Sequence, residues 1–173
     1  NVIITDGDYY HIEDEKKVFG DLHIEGHQEF GYAGNERAID ICRSIMKEEV
    51  AKKIIDLPFK EQEKEINQLG IFIGIHTFEI DLFNKASADD KDIIAQIFCE
   101  LTNGGKTQCE NFIKNLESRQ YDKCRGAIES SHSEIGKGRF AQRLASLCTK
   151  TMVPLYIEDA IKHICKRVGN KID

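Results

Sequence analysis

The sequence predicts an α/β protein, on three observations. Two apolar segments rich in β-branched residues, VIIT at 2–5 and IFIGI at 71–75, lie in its first half. Helical apolar spacing dominates the second half. No internal repeat, low-complexity tract or linker interrupts the 173 residues, a length that suits one domain with a sizeable core.

Taken in order, VIIT ends at a glycine-containing turn and reads as a short buried strand. Residues 9–34 are polar, carry four glycines, and read as a long irregular loop. Asn35 is placed to cap a helix running to about Asp56, with Ile41, Ile45 and Ile54 at its apolar positions and Leu57-Pro58 stopping it. A short helix is expected over 61–69, ended by Gly70. IFIGIHTFEIDLF (71–83) returns to strand character. Its second half alternates, with Thr77, Glu79 and Asp81 on one side and Phe78, Ile80 and Leu82 on the other. Helical patterns follow at about 89–102, 106–118, 138–149 and 155–167, the last opened by Pro154.

Composition narrows the classes. No apolar run approaches the roughly 20 residues that span a bilayer, and no signal-peptide pattern opens the chain, so a soluble, cytoplasmic protein is expected. Six cysteines are scattered without a C-x-x-C and sit mostly on apolar helical faces, which predicts free thiols in a reducing compartment. A net charge of −6 argues against a general nucleic-acid binder. That average conceals a gradient: residues 1–36 hold nine acidic against two basic side chains, and residues 137–173 hold eight basic against three acidic. Such a chain can pair a metal site with an anion-binding face, although the counts by themselves favour an ordinary solvated helix surface.

Three constellations carry chemistry. Asp6-Gly7-Asp8 puts two carboxylates at a strand end, roughly 6–7 Å apart along the backbone, where hard anionic oxygen suits Mg²⁺ or Mn²⁺. The same tripeptide is also good turn chemistry. In TFEID (77–81), Thr77, Glu79 and Asp81 share a face of the expected strand; buried carboxylates there need a partner or a metal, whereas a half-exposed strand needs neither. IGKGRFAQRLA (135–145) sets Lys137 between glycines just ahead of a helix carrying Arg139 and Arg143, an arrangement that suits phosphate. Neither this segment nor NGGKT (103–107) satisfies the P-loop pattern, so the chain itself is not expected to bind ATP. His23, Glu25 and His27 could contribute to a zinc site but lack a fourth ligand. His76 adjoins Thr77, but neighbours in a strand point oppositely. No G-x-S-x-G and no Cys–His signature supports acyl chemistry.

In this order, IITDGD, GIHTFEIDLF and IGKGRFAQRLA resemble the C-terminal Toprim region of OLD (overcoming lysogenization defect) nucleases, over about residues 1–165 and including the closing VPLYIEDAI. The resemblance implies a Toprim-like parallel sheet flanked by helices, with helical C-terminal additions. The Toprim core would cover about residues 1–100, and a helical part with the catalytic lysine about 101–173. Position by position, Asp6 and Asp8 resemble the family's metal-binding aspartates. Thr77 and Glu79 resemble its [Ser/Thr]-x-Glu element, Asp81 the acid that follows, and Lys137 the lysine beside the scissile phosphate. The family also uses a glutamate on a strand before D-x-D, which this chain begins too late to contain. The chain therefore reads as a piece of a longer polypeptide with an N-terminal ABC-type ATPase, and by itself is expected to be a weak or inactive nuclease.

The resemblance further implies a Mg²⁺- or Mn²⁺-dependent endodeoxyribonuclease or nickase of phage defence, acting through two metals roughly 4 Å apart. In this scheme Asp6 and Lys137 are catalytic, Asp6, Asp8, Thr77, Glu79 and Asp81 serve the metals, and Arg139 and Arg143 hold the DNA backbone. ATP would bind only in the N-terminal part; a helicase partner and homo-oligomerisation through the parent are implied as well. Two alternatives stand beside it: a degenerate Toprim DNA-binding module, and a D-x-D phosphatase, against which Tyr10 counts because a Thr or Val normally stands there.

Overall fold

The computed structural model describes residues 2–19, 30–102, 105–129 and 135–169. Backbone packing separates the chain into two compact units, Asn1–Phe78 with Pro154–Asp173, and Glu79–Val153. The boundary expected near residue 100 thus falls inside the second unit.

In the first unit, β1 (Ile3–Thr5) pairs in parallel with β5 (Ile71–Ile73), in the register Ile3↔Ile71, Ile4↔Phe72, Thr5↔Ile73. Both strands lie where expected. β5 is buried throughout, but β1, expected to be buried, leaves Ile3 and Ile4 exposed. Helices α1 (Ala33–Ile45), α2 (Glu48–Ile55), α3 (Phe59–Gln68) and α9 (Leu155–Arg167) complete this unit. Ala38, Cys42, Ile54, Ile66, Ile71 and Ile73 form its buried apolar cluster.

Two expectations fail here. The single helix over 35–56 is broken at Met46-Lys47, both extended, and starts earlier; Asn35 lies in the first turn of α1, where its amide donates to Gln62 Oε1 at 3.0 Å. The loop expected over 9–34 holds an antiparallel sheet in the order β3-β2-β4, from β2 (Tyr9–Glu13), β3 (Lys16–Phe19) and β4 (Phe30–Tyr32). Its hairpin turn, Asp14-Glu15, takes φ of 48° and 61°, the left-handed pair of a type I′ turn built without the usual Asn-Gly or Asp-Gly signal. Tyr9 and His11 point to the buried face. His23, Glu25 and His27 lie outside the described residues.

The second unit is helical among its described residues: α4 (Phe78–Lys85, entering from the first unit by one residue), α5 (Ala88–Leu101), α6 (Gly105–Glu117), α7 (Tyr121–Glu129) and α8 (Gly136–Ala145), then a 3₁₀ turn, Lys150–Met152. α7 was not anticipated. The strand expected to continue through TFEIDLF is α4. Its acidic first turn and terminal Lys85 favour a helix through the macrodipole, and Ile80 and Phe83, one turn apart, are both buried. Aromatic packing organises this core: Phe98 and Phe112 stack at 3.9 Å between centroids, and Phe83 meets Phe112 edge-on at 6.4 Å. Cys99 and Cys109 are joined in a disulfide between α5 and α6, contrary to the free-thiol expectation, which holds for Cys42, Cys124, Cys148 and Cys165. Among the described residues, no helix is long and apolar enough to cross a membrane.

α5 opens with a capping box. The Ser87 hydroxyl accepts from Asp90 N, and Asp90 Oδ2 accepts from Ser87 N at 3.1 Å. Burial alone would raise the Asp90 carboxyl, but hydrogen bonds from Thr151, Thr149 and Ser87 outweigh it and bring its pKa down to about 2. A depressed carboxyl stabilises the fold above its unfolded pKa, and that contribution is lost as pH falls through the folded value. Asp90→Asn is therefore expected to cost roughly 2 kcal/mol at pH 7 and nearly nothing at pH 2. Urea unfolding of both proteins at the two pH values checks this.

Candidate metal and phosphate site

The D-G-D corner is built by close backbone approach. Past β1, the chain runs beside the segment after β5: Gly7 N and Asp8 N both donate to His76 O, at 2.9 and 3.3 Å, and Tyr9 N donates to Ile75 O at 3.0 Å. The N-terminus of α1 closes the other side, Gly34 N donating to Gly7 O at 2.8 Å. A Cβ on Gly7 would overlap the carbonyl oxygens of Gly74 and Ile75, and one on Gly34 would overlap Asp6 O. Glycine is required at both positions for this reason. Asp8 itself takes φ 47°, a left-handed conformation that Asp tolerates better than most residues.

Arg37, on the first turns of α1, pins the corner. Its Nη2 donates to Asp8 Oδ2 at 2.9 Å and to Asp6 O at 2.9 Å. No signal in the sequence marked this arginine beyond its being a cation one helical turn after a glycine. The Thr77 hydroxyl oxygen is buried without a hydrogen-bond partner, just after His76 and at the mouth of α4.

The expected strand face of Thr77, Glu79 and Asp81 does not exist, because α4 begins at Phe78. Two residues apart on a helix are about 200° apart, so Glu79 and Asp81 diverge; Asp81 is buried and Glu79 is 15 % exposed. Glu79 does meet the expected lysine. Lys137 Nζ lies 3.1 Å from Glu79 Oε1 and 2.8 Å from Glu129 Oε1, at the end of α7. The bond to Glu129 is the largest influence and raises the Lys137 ammonium above its ordinary range; burial opposes it, and Glu79 then adds to the rise. Lys137 stands inside the first turn of α8, not ahead of it, and follows Gly136 at φ 64°. Glu129 was missed because α7 was missed. Arg143 makes a two-point contact with Glu100 Oε2, from Nε at 3.2 Å and Nη2 at 3.0 Å, so it carries a structural partner that the sequence did not reveal; Arg139 is exposed.

The structure thus places Asp6, Asp8 and Thr77 in one unit, and Glu79, Asp81, Lys137, Arg139 and Arg143 in the other. It brings Glu79 and Lys137 into contact. Among the described residues, no group of three or more His, Cys, Asp or Glu side chains is gathered as metal ligands. The donor chemistry nevertheless fits a hard divalent cation: two strand-end carboxylates and the partnerless oxygen of Thr77 are all oxygen donors. A cation at Asp8 would share or displace its bond to Arg37.

No family model and no curated protein matches the chain. Two solved structures are similar to it. The C-terminal region of the Burkholderia pseudomallei OLD protein aligns at 21% identity and a TM-score of 0.63, over 96% of this chain and 69% of that one. The C-terminal region of the Xanthomonas campestris pv. campestris OLD protein aligns at 24% identity and a TM-score of 0.58, over 97% of this chain and 68% of that one. The chain has the fold of the C-terminal region of OLD proteins.

Proposed function

We propose that this chain is the nuclease region of an OLD-type protein and hydrolyses DNA phosphodiesters with Mg²⁺ or Mn²⁺. The observation that carries this reading is the D-G-D corner: two carboxylates held at a strand end by a backbone clamp that excludes any side chain at Gly7. The fold likeness and the Glu79–Lys137 contact support it.

Asp6 and Asp8, with the Thr77 hydroxyl, would hold a cation, and Glu79 and Asp81 are the acids that the resemblance assigns to a second one. When bound, the cations supply a nucleophilic water near neutral pH and stabilise the leaving oxygen. Lys137 would offset the negative charge that grows on the phosphate as the bond breaks, with Glu129 and Glu79 holding its ammonium in place. Arg139 contacts the DNA backbone, and Arg143 does so from its Glu100 anchor, without reading bases. An ATPase part preceding this chain in the same cytoplasmic polypeptide, homo-oligomerisation through it, and a helicase partner in phage defence belong to the same proposal.

Nicking of supercoiled plasmid by the full-length protein tests it. Cleavage is expected with Mn²⁺ or Mg²⁺, none in EDTA, and Asp8→Ala should abolish it. DNA binding that is sensitive to salt but indifferent to EDTA, without cleavage, would instead favour a binding module.

A further inference from the structure

A second cationic feature lies in the first unit and shares no residue with the D-G-D corner. α3 and α9 flank Phe72 of β5 and line an open cavity of about 570 Å³, within the size range of small-molecule sites. Lys60 and Lys64 stand one turn apart on α3; Lys162 and Lys166 stand one turn apart on α9. Lys162 is engaged by Asp159 at 3.1 Å and Glu158 at 3.6 Å. Lys60, Lys64 and Lys166 have no ion pair within 4 Å among the described residues. The remaining acid in the lining is Glu63, whose carboxyl is pushed up by burial and then by Asp159, with Lys60 opposing. Positive charge therefore predominates in a chain whose net charge is −6.

The lining also contains two polar atoms with nothing to bond: Asn67 Oδ1 and His163 Nε2 are buried without hydrogen-bond partners. Burying such groups is unfavourable unless something satisfies them. His163 packs edge-on against Phe72, with ring centroids 5.5 Å apart, which fixes its orientation. Burial, then the positive charges of Arg167 and Lys166, hold its imidazole below the ordinary histidine range. A neutral imidazole can donate from one nitrogen, and a carboxamide rotated by half a turn presents its N–H groups. Three unpaired ammoniums with two such donors match the several oxygens of a phosphate.

We propose that the α3–α9 cavity binds a phosphate group through Lys60, Lys64, Lys166, His163 and Asn67. A nucleotide and a nucleic-acid backbone offer the same chemistry.

The test is a titration of the chain with pyrophosphate at constant ionic strength, followed through the imidazole resonances of His163. A saturable shift is expected. Lys64→Gln with Lys166→Gln should weaken binding at least tenfold with an unchanged circular dichroism spectrum, while Lys64→Arg retains it. The absence of a saturable shift, or equal affinity in the double glutamine variant, overturns the proposal. Displacement of pyrophosphate by ATP alone identifies a free nucleotide as the occupant, and displacement by duplex DNA identifies a nucleic-acid backbone.

Discussion

Lys137→Ala lowers metal-dependent cleavage by the full-length protein about 10²–10³-fold, the usual effect of deleting one preorganised charge partner of a transition state. The same substitution should scarcely change stability. Lys137 is 53 % exposed, and ion pairs in that setting contribute little. The ammonium is raised above its ordinary range by Glu129 and Glu79, so it stays protonated into more alkaline solution than a free lysine. Deprotonation of Lys137 should therefore cause no loss of activity between pH 8 and 9, and the pH profile over that range should be the same in Lys137→Arg. Plasmid-nicking rates for wild type, Lys137→Ala and Lys137→Arg, with thermal melts alongside, check both parts. A large fall in melting temperature with modest loss of cleavage would assign Lys137 a structural role.

Gly34→Ala is expected to destabilise the chain by about 3 kcal/mol, at the upper end for overpacking a tight contact. The added methyl would overlap Asp6 O and press on Gly7 Cα at 2.9 Å. Neither is a flexible side chain that could swing away. The backbone bond from Gly34 to Gly7 and the Arg37 contacts hold α1 and the corner together, so relief at one point displaces the others. Gly126→Ala provides the contrast. That position lies in α7 with nothing within 4 Å of the new Cβ, and the substitution should stabilise by about 0.5–1 kcal/mol. Denaturant unfolding of the two variants measures the difference.

What the sequence made legible follows from how local each signal is. The β1 and β5 segments, α3 and the helices from α5 onward, α7 excepted, were readable because apolar spacing of one kind ran their length. TFEIDLF reads as a strand by its short alternation, but Ile80 and Phe83, one turn apart, and the acidic first turn ahead of Lys85 also suit the helix it forms. The β2–β3 hairpin was hidden because Asp14-Glu15 adopts left-handed angles without glycine. α7 went unread although Tyr121, Cys124 and Ile128 carry helical spacing, because a tyrosine and a cysteine at two of those three positions make a weak apolar signal. In the site, residue types were legible and partners were not. Asp6, Asp8, Glu79 and Lys137 stood out by motif, whereas Arg37, Glu129 and Gly34 matter only through contacts made on folding.

Anomalous diffraction from crystals of the full-length protein grown with Mn²⁺ addresses the metal assignment without relying on activity. The account predicts a peak about 2.0–2.3 Å from carboxylate oxygens of Asp6 and Asp8, lost in Asp8→Ala. A peak elsewhere, or none at the corner with Arg37 still bonded to Asp8 at saturating Mn²⁺, would contradict it.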